Sequence, residues 1–556
     1  MSSDSIWSIL VSGRIFTADP DRPWAEAMAV VGDTIAYVGN TDEARRAAGH
    51  DAVSIDAGEG LVLPGFVDGH AHLLGTGAAL TRAGLRTATS LDEITHEVRR
   101  WADAHPEAPR VLGGGWGFSA VPGGIPTRHM LDAVIADRPV YLDASDHHSV
   151  WCNTAALDEL GITDATPDPI GGRIVRDGGG TATGFLLENA GYHLAWPTMN
   201  QATPADHDRH LRAAVQAYLA SGTTTAVDMG LDDTSLAALL RAEAAGDLPF
   251  TVVAHWLINR SGDPDDELAQ VERAAELAGE HSTGSVRIAG IKLITDGTID
   301  GCTAGMCLPL TNGEPGGMVW PREALEPVVL AADAAGLQIA LHAIGDLAVR
   351  TSLDVLEVAA ERRSERGDTK QRRHRIEHLE YVDAADVARL APLGVTASMQ
   401  PVHADPAYLG NWAELLGDDR AQRGFAWPEY LHHGTTLAFG TDTPTAAHQP
   451  LPNMYIAATR RSPYVPDATP LRPDFALPLA DAIGYATRDS AWACFEEGRR
   501  GMLRQGLAAD FVVLDRDPVR GEPIDLLETR VVRTVVAGQT VHQLPESAAK
   551  RSQRWG

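Results

Sequence analysis

The 556-residue chain predicts an α/β protein built on a (β/α)8 TIM-like barrel, with an inserted domain after the first barrel strand and a small β-sandwich domain formed from both chain ends. Three observations predict it. Eight short apolar or β-branched runs alternate with helical stretches through the middle of the chain, the count of a parallel barrel. Hairpin-like runs broken by Gly, Asp and Asn bracket that region on both sides. About 150 residues separate the first barrel run from the second, too many for a structureless loop inside a domain.

The elements follow in chain order. Residues 7–65 hold SILVSGRIFT, AMAVVGDTIAYVG and AVSIDAGEGLVLPG, and a similar block, ADFVVLDRDP and TRVVRTVVAGQTVHQ, returns near the C-terminus. Residues 1–62 and 496–545 are therefore assigned to one β-sandwich, and the polar tail ESAAKRSQRWG is expected to fray. The barrel strands read as LVLPGFVD (61–68), TTTAVDMG (223–230), FTVVAHWL (250–257), VRIAGIKLIT (286–295), LQIALHAI (337–344), RHRIEHLE (373–380), GVTASMQP (394–401) and TTLAFGTD (435–442). Helices fit the gaps, among them HLRAAVQAYLAS, LAQVERAAELAGE and AVRTSLDVLEVAAERR, so the barrel takes residues 63–76 and 206–495. Residues 77–205 carry elements of their own (LDEITHEVRRWADAH, RPVYLDAS, WCNTAALDELG) and form the inserted domain or lid.

Composition bounds the function. With 44% apolar and 22% charged residues the chain is globular. Its 46 basic against 75 acidic side chains leave a net charge of −29, which excludes sequence-independent binding to nucleic acid or to an anionic membrane. No basic leader and no apolar run of ~18 residues is found, so a cytoplasmic protein acting on a small molecule is expected. The sequence leaves a homodimer open. Cys152, Cys302, Cys307 and Cys494 contain no CxxC pair, so neither a disulfide framework nor a zinc–thiolate site is expected. Only three of the 46 basic residues are lysines, Lys292, Lys370 and Lys550, and only Lys292 falls in a barrel strand.

Barrel active sites lie at the C-terminal ends of the strands. The first strand ends in Asp68-Gly69-His70-Ala71-His72, and residues two apart on an extended segment point the same way, so both imidazoles can face one metal. The fourth strand carries Lys292, the fifth His342, the sixth His378, and the eighth ends in Asp442. Singly, each has a bland explanation: a histidine in an apolar run is more often a core residue, and an Asp after a strand is more often a turn former. Together, four histidines, one lysine and one carboxylate at strand ends point to a site for zinc or another divalent transition metal. A buried lysine without a partner would cost several kcal/mol or lose its proton, and the neutral amine can add carbon dioxide to give a two-oxygen carbamate ligand.

LVLPGFVDGHAHL, the strand-four lysine, the two later strand-end histidines and GTDTP together resemble the amidohydrolase superfamily. The chain is most similar to its amidohydrolase-3 (YtcJ-like) branch, which includes N-substituted formamide deformylases. GGWGFSAVPGGIPTRHMLD (114–132), DHHSVWCNTAAL (146–157), PDPIGGRIVRDGGGTATGFLLENA (167–190) and IKLITDGTIDGCTA (291–304) carry the same resemblance, which thus covers nearly the whole chain. Two departures, DHHS for the branch's usual DGHS and GTDTP for GSDWP, touch no ligand position. The resemblance implies one or two divalent ions, zinc first, held by His70, His72, Lys292 as N6-carboxylysine, His342, His378 and Asp442. It places His70, His72 and Asp442 on one ion, His342 and His378 on the other, and the carbamate between them.

The reaction so implied is hydrolysis of an acyclic amide C–N bond by metal-activated water, with Asp442 as general base and N-substituted formamides as the first class to test. Cyclic-amide or imide hydrolysis on the same site is one alternative, and a non-catalytic regulatory protein on this frame is another. Trp116, His148 and Trp151 in the inserted segments and His403 after the seventh strand are the candidate substrate contacts, with Phe118, His147, Trp256 and Trp320 as further aromatic candidates. Arg375 and Glu377, alternating with His378, are expected to face the outer helices.

Overall fold

The computed structural model describes residues 7–144, 149–169, 172–188, 190–313, 316–407, 409 and 411–545. The chain divides into two units: residues up to Leu73 together with those from Val215 onward, and Leu74–Ala214. The boundaries of the second unit lie slightly outside those expected for the inserted domain.

The first unit contains the barrel. Its eight parallel strands are β1 (Phe66–Ala71), β2 (Thr223–Leu231), β3 (Thr251–Leu257), β4 (Val286–Ile294), β5 (Gln338–Ala343), β6 (Arg375–His378), β7 (Thr396–Met399) and β8 (Leu437–Phe439), paired in sequence order. All eight fall within or beside the expected runs, because β-branched residues buried on both faces satisfy a parallel sheet covered by helices. One run is divided: LVLP closes a strand of the terminal sheet and β1 starts only at Phe66. Pro64 lacks the N–H that a continuing ladder needs, and Gly65 lies so close to β2 that a Cβ would stand 2.2 Å from Thr224 Oγ1.

The barrel seam is made by backbone past the end of β8. His72 N–H donates to Thr443 O at 3.0 Å and Asp442 N–H to His70 O at 2.7 Å, beside a parallel bridge between Ala71 and Thr443. Gly440 permits this approach, since a Cβ there would be 2.3 Å from His70 N. The seam therefore draws the ends of the first and eighth strands, each bearing candidate ligands, into one ladder. Helices Pro264–Glu280, Arg322–Ala334, Asp346–Glu365 and Ala384–Leu393 occupy the expected gaps.

The two chain ends build one seven-stranded sheet, within the small β domain expected from both ends of the sequence. Its order is Gln539–Gln543, Val531–Val536, Phe511–Leu514, Val53–Pro64, Ser8–Phe16, Trp24–Val31, Thr34–Gly39. The 12-residue strand Val53–Pro64 pairs parallel with Ser8–Phe16 and antiparallel with Phe511–Leu514, so it is long enough to join both ends in a continuous ladder. The sheet closes over a single core containing Val11, Ile15, Met28, Val30, Val62, Phe511 and Val535.

The second unit holds a six-stranded sheet, in the order Gly172–Arg176, Ala182–Glu188, Ser149–Cys152, Val140–Ala144, Val111–Trp116, Ala83–Gly84. Strand alternation divides its side chains between two cores. Val140, Leu142 and Trp151 pack with Trp116 and helix Leu91–Ala104 on one side, and Tyr141, Val150 and Cys152 with Leu157 on the other. No helix among the described residues is long and apolar enough to cross a membrane.

Candidate metal centre

Five strand ends deliver the candidate ligands. His70 and His72 alternate along the end of β1, and their Nε2 atoms lie 3.3 Å and 3.2 Å from Asp442 Oδ1. Asp442 follows β8 with φ of 55°, and His378 and Leu379 end β6 with φ of 74° and 52°. Left-handed backbone at three non-glycine positions is locally costly and turns these chain ends toward the barrel mouth. His378 Nδ1 lies 2.9 Å from Gln400 Oε1 and 4.0 Å from Asp442 Oδ2. The His342 ring on β5 stands 4.4 Å from the His378 ring, centroid to centroid, while its Nε2 is 3.4 Å from both Asp296 Oδ1 and Gly297 O.

Lys292 lies among them, buried on β4, with no hydrogen-bond partner for its Nζ. Burial pushes its amine down to about 8, against the pull of Glu377 and Asp442. Burial, with Lys292 adding to it, also lowers His70 to about 4 and His342 to about 3, and His378 falls well below the usual histidine range. These imidazoles are neutral near pH 7 and each keeps a lone pair for a metal. Burial alone would raise Asp442, but the histidines around it, His70 and His72 foremost, hold it well below the usual carboxylate range.

The donor set fits a divalent cation. His70, His378 and Asp442 can each offer a ligand atom within 4.8 Å of the others, and His378, Glu380 and His403 form a second such group. Imidazoles and carboxylates without cysteine suit an open transition-metal site rather than a closed structural one. The orphaned amine of Lys292 is the further mark: a buried ammonium is costly, and conversion to an anionic carbamate would place two oxygens beside these histidines.

The substrate-contact expectations fare unevenly. Trp116 and Trp151 are fully buried core residues of the second unit; Trp116 Nε1 donates to Leu142 O and Trp151 Nε1 to Thr127 O. With rings 5.5 Å apart and indole N–H groups satisfied inside, they pack in the interior of that unit. His147 and His148 lie outside the described residues. Trp256 and Trp320 are also buried. His403 lies with the candidate ligands: its Nδ1 is 3.0 Å from Glu380 Oε1, its Nε2 3.5 Å from Asp442 Oδ2, and its ring stacks 5.6 Å from that of His378.

Arg375 and Glu377 do not face the outer helices. Both are fully buried, and Glu377 Oε2 meets His70 Nδ1 at 2.7 Å. Glu380, Asp296 and Asp300 also surround the site and were not singled out from sequence. Asp296 accepts from the backbone N–H groups of Gly305, Ile344 and Gly345, tying the loop after β4 to the end of β5. The signal available for the two glutamates was the RIEHLE motif, in which acids flank the histidine at one and two residues.

The Amidohydrolase family model matches residues 54–542. YtcJ of Bacillus subtilis (strain 168) is 30% identical over 555 residues, covering 97% of this chain and 99% of that protein. An N-substituted formamide deformylase of Arthrobacter pascens is 29% identical over 543 residues, 95% of this chain and 97% of that protein. Among solved structures, an uncharacterized metal-dependent hydrolase from Pyrococcus horikoshii OT3 superposes with a TM-score of 0.74 at 26% identity, over 96% of this chain and 100% of that one.

Proposed function

This chain belongs to the amidohydrolase family, and on that premise we propose that it is a metal-dependent hydrolase of linear amides, with N-substituted formamides as the first candidate substrates. The observation that carries the reading is Lys292: a buried amine without a hydrogen-bond partner, in a barrel whose strand ends bring His70, His72, His342, His378 and Asp442 around it. Addition of carbon dioxide to its neutral amine, with release of one proton, gives N6-carboxylysine. His70, His72, His342, His378, Asp442 and that carbamate would hold one or two divalent ions, zinc first.

A metal bound there supplies a water of lowered pKa and a polarised carbonyl oxygen. The chain's own residues do the rest. Asp442 is ionised at neutral pH, so it can take a proton from the attacking water and pass it to the departing nitrogen. Water adds to the acyl carbon, the C–N bond breaks, and the products are a carboxylic acid (formic acid from a formamide) and an amine. His403, held at Nδ1 by Glu380, has its other nitrogen on the Asp442 side and would orient the substrate.

The test is elemental analysis of protein produced with bicarbonate and zinc or manganese, then a panel of N-substituted formamides, N-acyl amino acids and cyclic imides. Bound metal and formate release support the reading. Turnover of cyclic imides alone replaces linear amides with ring opening, and a folded protein without metal or turnover refutes it.

A further inference from the structure

We propose that Arg375 and Glu377, on β6, are positioning residues that set the tautomer of His70 before any metal arrives. The purpose assigned to this clamp rests on the metal-dependent reading above; its geometry does not. His70 Nδ1 lies 2.7 Å from Glu377 Oε2, and with His70 1% exposed and Glu377 0% exposed no bulk water competes for either atom. An ionised carboxylate can only accept, so Nδ1 carries the ring proton and Nε2 keeps the lone pair. Nε2 is the nitrogen that faces Asp442, 3.3 Å from Oδ1. The opposite tautomer would set the Nδ1 lone pair against Glu377 Oε2 and turn an N–H toward the space a cation must occupy.

Glu377 is itself fixed by Arg375. The guanidinium donates from Nε to Glu377 Oε1 at 2.7 Å and from Nη2 to Oε2 at 3.1 Å, a two-point contact that sets the carboxylate plane. The same Nη2 donates to Gly69 O at 2.7 Å and to Ser398 Oγ. One side chain thus grips both the carboxylate that meets the imidazole and the backbone just before that imidazole. β1 and β6 are not neighbours in the barrel, so the clamp crosses its interior instead of following a ladder.

Stability alone does not account for such a pair. Two apolar side chains of similar volume at the same depth are commonly as stable as a buried ion pair, or more so. They cannot accept the proton of an imidazole, and orientation of metal-bound histidines by a carboxylate strengthens metal binding.

Nitrogen NMR of the histidine side chains, recorded on the chelator-treated protein and assigned against His70→Asn, tests the clamp directly. The expected result is a neutral His70 protonated at Nδ1. Glu377→Gln and the double variant Arg375→Met/Glu377→Leu, which removes both buried charges, are expected to give mixed tautomers. Both should bind zinc about 10- to 100-fold more weakly in chelator competition. A wild-type His70 protonated at Nε2 overturns the proposal, as does a folded double variant with unchanged zinc affinity. If Glu377→Gln fails to fold, the double variant and the wild-type tautomer still decide. Failure of the wild-type protein to bind zinc would instead remove the metal-dependent reading and leave the tautomer measurement standing.

Discussion

His72 Nε2 stands 3.2 Å from Asp442 Oδ1, a contact between the ends of the first and eighth barrel strands, made where the seam closes. The residues that close the barrel are thus neighbours of the residues proposed to do its chemistry. Against burial, the imidazoles around Asp442, His70 and His72 foremost, hold its carboxyl well below the usual carboxylate range, and Asp442 is the proposed proton acceptor. Asp442→Asn keeps the shape and removes the base. Its kcat is expected to fall about 10²- to 10⁴-fold with KM little changed. Steady-state kinetics on a turned-over formamide checks this, and an unchanged kcat would assign the proton transfer to another group.

Lys292→Ala removes the amine that burial holds near 8. Metal content and activity are both expected to be lost, with partial recovery when short-chain carboxylic acids stand in for the proposed carbamate. Metal analysis with and without added acetate is the measurement. Full turnover without added acid would end the bridging role.

His403 lies beside Asp442 and Glu380 without belonging to the six residues implied as ligands. His403→Ala is expected to raise KM about tenfold, the worth of one hydrogen bond to substrate, while metal content stays at the wild-type level. Loss of metal in this variant would make His403 a ligand through the group it forms with His378 and Glu380.

Trp116 is fully buried against Trp151 and Leu142, so Trp116→Ala is expected to cost about 3–5 kcal/mol of stability in the second unit. Urea unfolding followed by tryptophan fluorescence measures it. Unchanged stability with a raised KM would return Trp116 to the substrate-contact role expected from sequence.

His255 on β3 is pushed by burial, with Arg375 adding to it, from 6.5 down to about 3, and its Nε2 pairs with Gln338 Oε1 at 2.9 Å. Folded, this histidine stays neutral; unfolded, it binds a proton below its ordinary pKa. The unfolded state therefore gains protons first, and the contribution of His255 to stability falls as pH drops from 6.5 toward 3. Urea unfolding of the metal-free protein at about pH 7.5 and about pH 5.5 is expected to show this loss, and His255→Gln to reduce the slope. An equal slope in the variant would assign the loss to other groups.

Much of this protein is legible without coordinates. The eight barrel strands come from runs of β-branched and apolar residues that suit a sheet buried on both faces, and that signal is local. The same runs end in His70, Lys292, His342, His378 and Asp442, so the set of strand-end residues was visible in chain order. One misreading has a clear cause: Arg375 and Glu377 read as outward-facing from simple alternation. Trp116 and Trp151 read as candidate substrate contacts because they lie in an inserted segment. Periodicity tells which residues share a face, not which face meets the barrel interior or which core a tryptophan fills.

By itself, then, the sequence determined the barrel, the bracketing β-rich ends, the inserted segment and the roster of strand-end imidazoles, amine and carboxylate. Only the tertiary structure decided that both chain ends share one sheet, that His403 and Glu380 stand among the candidate ligands, and that Glu377 holds His70 across the barrel. Those relationships join residues far apart in sequence: the paired Val62 and Val513 of the terminal sheet, and His70 and Glu377, 307 positions apart. No local pattern encodes such a pair. It forms because closing the barrel buries a histidine and a carboxylate together, and each buried polar group must find a partner there.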